Sequence, residues 1–104
     1  MINHVVLFQF KNSIKDHEIH HLFEEIRKLS QFFPGIKNFS WGRNNNQEGL
    51  CQGFEYGLFL QFDSEATRQA YASHPFNHEI SEAIVKPALR DGLRSALVFD
   101  YNVQ

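Results

Sequence analysis

Residues 2–11 limit the fold more than any other part of the sequence. They are rich in β-branched and aromatic residues and contain neither glycine nor proline, which predicts a strand. One face of that strand carries Val5 and Leu7. The other face carries Ile2, His4, Val6, Phe8 and Phe10. Because both faces are largely apolar, we expect the strand to be buried on both sides of a sheet.

The next residues change from a strand period to a helical one. An apolar stripe runs along a helix predicted for residues 14–33, and Phe33-Pro34-Gly35 should end it. The stripe consists of Ile19, Leu22, Phe23, Ile26, Leu29 and Phe33. Further strands are predicted at residues 36–42 and 54–62. The polar, asparagine-rich residues 43–53 form the loop between them.

A proline divides the helical part of the second half. Asp63 or Ser64 should cap a helix that ends near Ser73, because Pro75 lacks a backbone N–H and disfavours helix at the residue before it. Asn77 is the expected cap of a second short helix. Pro87 should end or kink that helix, and Asp91-Gly92 indicates a turn.

A last strand at residues 93–101 completes the order β-α-β-β-α-α-β. This is the split β-α-β arrangement of ferredoxin-like domains, with the second helix broken. The sequence therefore predicts one α+β domain over residues 1–104, with a four-stranded antiparallel sheet and helices on one face.

Charge and composition exclude several classes of function. The net charge is −2 and no basic stripe occurs, so we expect no nucleic-acid partner. No apolar run approaches about 20 residues, so we expect no membrane-spanning segment. The single cysteine, Cys51, cannot form an internal disulfide, and the N-terminus lacks the basic region of a secretory signal. We therefore expect a cytoplasmic protein.

The candidate chemistry gathers around the proline break. Tyr71, His74, Asn77 and His78 fall within eight residues, and groups at such a break can converge on one cavity. An imidazole can accept and return a proton near neutral pH, and a neighbouring tyrosine hydroxyl can donate to a developing oxyanion. Such a pocket would suit proton transfer, or the binding of an apolar ligand without reaction. Alternatively, Tyr71 is a core residue and the histidines lie at the surface.

Three histidines on the first helix offer a weaker alternative. His17-Glu18-Ile19-His20-His21 satisfies the spacing of the His-Glu-x-x-His zinc motif, because His17 and His21 lie four residues apart. Both project away from the apolar stripe, and no third ligand is evident nearby. We therefore predict exposed histidines, no metal site and no cofactor.

Several short segments, in order and at their spacing, resemble the stress-responsive α/β-barrel (Dabb) family. The segments are residues 4–11, Pro34-Gly35-Ile36-Lys37, Trp41-Gly42, Glu48-Gly49 with Gly53, Tyr71 with His74-Pro75, Lys86-Pro87 and residues 98–101. The resemblance covers essentially the whole chain. It implies a ferredoxin-like fold that dimerises into an α/β barrel, and its members include plant stress proteins and cofactor-independent polyketide cyclases.

The resemblance also implies a site. In the cyclases of this family, a tyrosine that matches Tyr71 and a histidine beyond the His-Pro break form the catalytic pair. That histidine usually follows the proline by two residues, where this chain has Asn77, and His78 comes one later. The catalytic candidates are therefore Tyr71 and His78. The substrate-binding candidates are His4, Phe8, Phe23, Tyr56, Leu58 and Asn77.

Two functions are consistent with these residues. The first is a protein that binds, and acts on, a small apolar or aromatic, polyketide-like molecule through His/Tyr acid–base chemistry without a cofactor. The second is a non-enzymatic, stress-associated structural protein whose core is filled by side chains, which eleven phenylalanines would allow. An empty cavity with a polar end would favour the first function, and a solid core the second.

The sheet also predicts a homodimer. Its helices should cover the face that carries His4, Val6, Phe8, Tyr56, Leu58 and Leu60. The opposite face would carry Val5, Leu7, Phe59, Leu97, Phe99 and Tyr101, joined by Phe39 and Trp41. Because soluble monomers rarely expose apolar patches beyond a few hundred Å², we expect two copies to cover this face by two-fold pairing.

Overall fold

The computed structural model describes residues 1–104 and contains the predicted succession of strands and helices. The elements are β1 (Ile2–Phe8), α1 (Asp16–Ser30), β2 (Ile36–Arg43), β3 (Tyr56–Phe62), α2 (Glu65–Ser73), α3 (Pro75–Ile80), a π-helical turn (Ser81–Val85), α4 (Lys86–Ala88), β4 (Arg90–Leu93) and β5 (Ala96–Asn102). None of these helices combines the length and apolar character needed to cross a membrane.

The sheet has the order β2-β3-β1-β5, and all of its pairings are antiparallel. This is the predicted ferredoxin-like arrangement. β1 lies between β3 and β5, which explains why its sequence is apolar on both faces. The pairing sets His4 opposite Leu60 on one side and Asp100 on the other. Side chains of directly paired residues share a face, so this register decides which groups meet above the sheet.

The helices cover the predicted face of the sheet. Val6, Phe8, Tyr56, Leu58 and Leu60 are all buried there. The stripe of α1 packs against them, and its five buried apolar members are Ile19, Leu22, Phe23, Ile26 and Leu29. The apolar stripe of the helix and the apolar face of the strands thus pack together in one core, as the sequence predicted.

The assignment of Phe39 and Trp41 to the opposite face was wrong. Trp41 pairs with Leu58, whose side chain faces the helices, and its ring stacks on Phe23 with centroids 4.4 Å apart. Its indole Nε1 also donates to Glu24 at 3.2 Å. Phe39 lies beneath the guanidinium of Arg27 on the same face, at 4.7 Å.

The helix break is at Pro75, but its cap is not Asn77 as predicted. The backbone of His74 is extended, and its Nδ1 accepts from the backbone N–H of Phe76 at 3.1 Å. The Asn77 side chain donates instead to the carbonyl of Tyr71 at 2.8 Å, which ties α3 to α2. Ser64 caps α2 as predicted, since its hydroxyl accepts from the backbone N–H of Thr67.

The final strand of the prediction is divided. Its turn lies at Arg94 and Ser95 and not at Asp91-Gly92, so β4 precedes it and β5 follows it. Ser95 is fully buried and stabilises this turn, because its hydroxyl accepts from the backbone N–H of Asp91 at 2.7 Å. The turn returns the chain to the sheet, where β5 becomes an edge strand.

The remaining face of the sheet is left without helices. Leu97, Phe99 and Tyr101 on β5 are exposed there, and Phe99 is 57% accessible. One row of polar side chains crosses all four strands on this face. Its hydrogen bonds run from Asn38 to Gln61 (2.6 Å), from Gln61 to Asn3 (2.7 Å) and from Asn3 to the hydroxyl of Tyr101 (2.8 Å). This apolar surface with its polar row is called the free sheet face below.

Candidate functional site

A cavity of about 360 Å³ lies between the sheet and the helical segment from α2 to α4. Fourteen of its twenty lining residues are hydrophobic, so a ligand inside it would contact mainly carbon atoms. The lining residues are His4, Val6, Phe8, Ile26, Leu29, Leu58, Phe62, Arg68, Tyr71, Ala72, Asn77, Ile80, Ser81, Val85, Lys86, Leu89, Leu93, Ala96, Val98 and Asp100.

The register of β1 and β5 gives the cavity a polar end and an apolar one. The pair His4–Asp100 lines one end and the pair Phe8–Ala96 the other, four residues further along the strands. At roughly 3.3 Å per residue, these ends lie about 13 Å apart. Val98 and Leu93 line the cavity but remain 59% and 67% exposed, so the mouth opens at the β5 edge of the sheet.

His4 and Asp100 form the polar end. The Nδ1 of His4 lies 2.6 Å from Oδ1 of Asp100, and the His4 side chain is only 16% exposed. The imidazole packs beside Phe62, with ring centroids 5.4 Å apart. Its Nε2 makes no hydrogen bond within the protein. Every fully enclosed polar side-chain atom has a partner, so Nε2 cannot be fully enclosed. The Nε2 atom is therefore accessible, and the cavity is the space that His4 lines.

Two residues of α2 support this pair. The second carboxylate oxygen of Asp100 accepts from Nη1 of Arg68 at 3.4 Å. Arg68 is itself held by Glu65, one turn earlier on the same helix. The hydrogen bond that Arg68 donates to Glu65 is the main cause of the raised pKa of Arg68. Desolvation by burial opposes this rise, and the negative charges of Glu65 and Asp100 add to it.

Tyr71 brings a second polar group to the same end. It is 8% exposed, and its ring lies against Phe33 and Phe62 and edge-on to His4 at 6.4 Å. Burial raises the pKa of its hydroxyl to about 12. No protein group hydrogen-bonds this hydroxyl, and it is not fully enclosed, so it too contacts the cavity.

Five of the eight site residues named from the sequence line the cavity: His4, Phe8, Leu58, Tyr71 and Asn77. His78 does not line it. His78 is exposed on α3, and no hydrogen bond joins it to Tyr71. The helix begins at Pro75, which turns position 77 towards the cavity and position 78 away from it. The expected approach of His78 to Tyr71 is therefore not found.

Phe23 and Tyr56 lie elsewhere in the core. Tyr56 pairs with Phe8 on β1, at the end of the sheet remote from His4, and its ring packs against Phe10 and Phe23. Phe23 is completely buried between Phe8 and Trp41. Both are large aromatic residues on the correct face of the sheet, but neither lines the cavity.

Asp100 and Arg68 were missed. A carboxylate in a strand and an arginine on a helix surface are common in any sequence. Only the pairing of β5 with β1 sets Asp100 beside His4, and only the packing of α2 brings Arg68 to it. The sequence feature that could have indicated Asp100 is its place within residues 98–101, one of the segments that resemble the family.

The histidines of α1 are exposed, as predicted. His20 lies edge-on to the Trp41 ring, with centroids 5.2 Å apart, and His21 lies 3.7 Å from a carboxylate oxygen of Glu25. Because these are surface contacts, they contribute little to stability.

Comparison with known proteins identifies relatives of this chain. A family model described as the stress responsive A/B barrel domain matches residues 2–103. The stress-response A/B barrel domain-containing protein HS1 of Arabidopsis thaliana is 27% identical over 96% of this chain and 87% of its own length. Olivetolic acid cyclase of Cannabis sativa is 24% identical over 96% of this chain and 94% of its own length.

Solved structures show the same fold. A dimeric ferredoxin-like protein of unknown function from Jannaschia sp. CCS1 superposes with a TM-score of 0.88 at 24% identity. The superposition covers 98% of each chain. At this level of identity the likeness concerns the fold alone.

Proposed function

The chain belongs to the stress-responsive A/B barrel domain family, and from that premise we propose that its cavity binds a small apolar or aromatic molecule that carries a carbonyl group. We further propose that His4 and Tyr71 act on this molecule by acid–base chemistry that needs no cofactor. The polyketide-like ligands implied by the resemblance have this combination of apolar body and carbonyl oxygen.

The observation that carries the proposal is the unpartnered hydroxyl of Tyr71. Polar groups in a protein interior normally have a hydrogen-bond partner, either in the protein or in a bound molecule. Tyr71 is 8% exposed, and its hydroxyl has no partner in the protein but is open to a cavity whose lining is mostly hydrophobic. A ligand oxygen that accepts from this hydroxyl would supply the missing bond.

The same end of the cavity supports proton transfer next to a carbonyl. The Nε2 of His4 would take a proton from the carbon adjacent to the carbonyl, and the electrons of that C–H bond would form the new C=C bond. The carbonyl π electrons would move to oxygen, which accepts a hydrogen bond from Tyr71. Because burial raises the pKa of Tyr71 to about 12, the hydroxyl stays protonated and remains a donor at neutral pH.

A purely structural role has less support. It would require a core filled by side chains, whereas the cavity has a volume of about 360 Å³ and a polar end. That volume lies within the range of sites for small ligands. The similarity to a protein named as a cyclase favours a chemical role over a structural one.

Calorimetric titration with butyrophenone tests binding. This aryl alkyl ketone has an apolar body and a single carbonyl oxygen, and butylbenzene is a matched ligand without the oxygen. Ligand efficiencies for molecules of this size correspond to a Kd of about 10–500 μM for butyrophenone. We expect butylbenzene to bind about tenfold more weakly, because it cannot accept from Tyr71.

The Tyr71→Phe variant is the matched control. It should lower the affinity for butyrophenone to that for butylbenzene, and leave the affinity for butylbenzene unchanged. Equal binding of both ligands to the native protein would contradict the assigned role of Tyr71. No binding of either ligand would favour the structural alternative.

We also propose that the protein is a homodimer paired through the free sheet face. Exposed apolar residues on this face, among them Leu97 and Phe99, would be covered by the same face of a second copy. The dimeric state of a protein with the same fold supports this arrangement.

A further inference from the structure

We propose that Asp100 is a positioning residue, which holds the imidazole of His4 as the Nδ1–H tautomer and leaves the Nε2 lone pair free as the proton acceptor in the cavity. This inference rests on the proposed function, because a free Nε2 matters only if a ligand with a transferable proton enters the cavity. It assigns the role of base to the histidine on β1 and not to one beyond the proline break.

One short hydrogen bond joins His4 to Asp100. An ionised carboxylate only accepts hydrogen bonds, so at 2.6 Å the Nδ1 of His4 must be the donor. In a neutral imidazole only one nitrogen carries a proton, and the other keeps its lone pair. A carboxylate on Nδ1 therefore fixes Nε2 as the acceptor, which is the general way in which a second group selects a histidine tautomer.

The carboxylate of Asp100 is fixed from two sides. Asp100 is held at both oxygens, by His4 on β1 and by Arg68 on α2. The Asp100 side chain is only 25% exposed, and Arg68 is tied to Glu65. Glu65, Arg68 and Asp100 alternate in charge from the surface of α2 towards the cavity, so the carboxylate is braced against rotation.

The Nε2 of His4 has no hydrogen-bond partner in the protein. His4 has no other polar partner, and the groups around its ring are the aromatic side chains of Phe62 and Tyr71. The other charged residue that lines the cavity, Lys86, is paired with Glu82 at 2.5 Å. Nothing in the protein therefore competes with a ligand for the Nε2 lone pair.

The tautomer can be observed without any ligand. Long-range ¹H–¹⁵N correlation spectra distinguish the protonated from the unprotonated ring nitrogen, and a His4→Gln variant identifies the His4 signals among six histidines. At mildly alkaline pH we expect native His4 to show a protonated Nδ1 and an unprotonated Nε2. A native His4 with the proton on Nε2 would overturn the proposal without the need for any Asp100 variant.

Asp100→Asn provides the matching perturbation. The asparagine amide can donate to Nδ1 and so favour the Nε2–H tautomer. We expect this variant to shift the His4 tautomer, while Asp91→Asn, which removes an exposed carboxylate near the β4 turn, leaves it unchanged. Asp100→Glu keeps a carboxylate and should retain the native tautomer at least in part. An unchanged tautomer in a folded Asp100→Asn protein would contradict the inference.

A kinetic measurement separates positioning from binding. Butyrophenone bound in D₂O should exchange its α-protons for deuterium, and we expect Asp100→Asn to slow this exchange at least tenfold while its Kd stays within about threefold of native. Equal exchange rates in the two proteins would overturn the role of Asp100. If native protein fails to bind butyrophenone, the proposed function fails, whereas the tautomer spectra still decide the question of positioning.

Discussion

Tyr71 combines a buried aromatic ring with a hydroxyl that is open to the cavity. Its ring is buried in an aromatic cluster, and its hydroxyl faces the cavity without a protein partner. Burial raises its pKa to about 12, since the charged phenolate would lose its hydration in the core. A raised pKa in the folded protein means that folding favours the neutral hydroxyl.

The alkaline stability of the protein should therefore depend on Tyr71. The contribution of neutral Tyr71 is complete below about pH 10, the ordinary tyrosine pKa, and is lost as the pH rises to about 12. At about pH 11 native protein should have lost about 1.4 kcal/mol more than Tyr71→Phe, relative to their values at about pH 8. Urea denaturation of both proteins at the two pH values measures this difference.

Near pH 8 the two proteins should differ by less than about 1 kcal/mol, because the native hydroxyl forms no protein hydrogen bond. Tyr56→Phe is a control for the loss of a tyrosine hydroxyl elsewhere in the core. Parallel stability curves for native protein and Tyr71→Phe across the alkaline range would show that Tyr71 does not titrate as described.

At this scale the sequence indicated the right residue types but not all of their partners. His4 was identified as a polar residue within an apolar strand, and Tyr71 as a member of the cluster around the proline break. Asp100 was missed because its contact depends on the register between strands more than ninety residues apart. A one-residue change in that register would move its side chain to the other face.

Among the elements, the connection from α1 to β2 packs closely against the start of α2. The backbone carbonyl of Gly35 accepts from the N–H of Asp63 at 2.9 Å, and a Cβ at Gly35 would overlap the Asp63 carboxylate and the Thr67 hydroxyl. Those two groups are hydrogen-bonded to each other at 2.5 Å at the start of α2. Glycine at this position therefore allows the first helical connection to pack against the second.

Gly35→Ala should destabilise the protein by about 1–3 kcal/mol, because the added methyl group must displace the Asp63–Thr67 hydrogen bond. Gly42→Ala is the matched control, since a Cβ there meets no atom within 4 Å. We expect it to change stability by less than about 1 kcal/mol. Chemical denaturation of the two variants measures the difference, and equal midpoints would contradict the close approach at Gly35.

Both boundaries of α2 followed local signals in the sequence. Ser64 caps α2 and Pro75 ends it because capping and the missing N–H are local effects. The face of Trp41 was misassigned because the β2–β3 register shifts between Lys37 and Ser40, where Asn38 has a positive φ of 58°. A register shift of one residue moves the following side chains to the other face of the sheet. The composition of the strand does not indicate where such a shift occurs.

At the scale of the whole molecule, the order of elements was sufficient to predict the fold. The order β-α-β-β-α-α-β predicts the ferredoxin-like sheet with antiparallel neighbours, and the observed sheet order β2-β3-β1-β5 is that arrangement. The cavity could not be predicted in this way. Its volume depends on how closely α2, α3 and the π-helical turn pack on the sheet, which side-chain types alone do not determine.

The free sheet face predicts the oligomeric state. Phe99 is 57% exposed at this face, and Phe32, on the helical side of the molecule, is 63% exposed. Light scattering at micromolar concentration should give twice the chain mass of 12.2 kDa for native protein and for Phe32→Lys. Phe99→Lys should give the single chain mass, because the charge would be buried without a partner in the dimer. A native monomer, or a dimer lost equally in both variants, would contradict pairing through this face.

We propose above all that the cavity between sheet and helices is a binding site, with His4 and Tyr71 at its polar end. A crystal structure of the protein with butyrophenone at saturating concentration tests it most directly. We predict electron density for the ligand inside the cavity, with its carbonyl oxygen about 2.6–3.2 Å from the Tyr71 hydroxyl and its α-carbon on the side of Nε2 of His4. An empty cavity under these conditions, or a ligand bound only outside it, would contradict the claim.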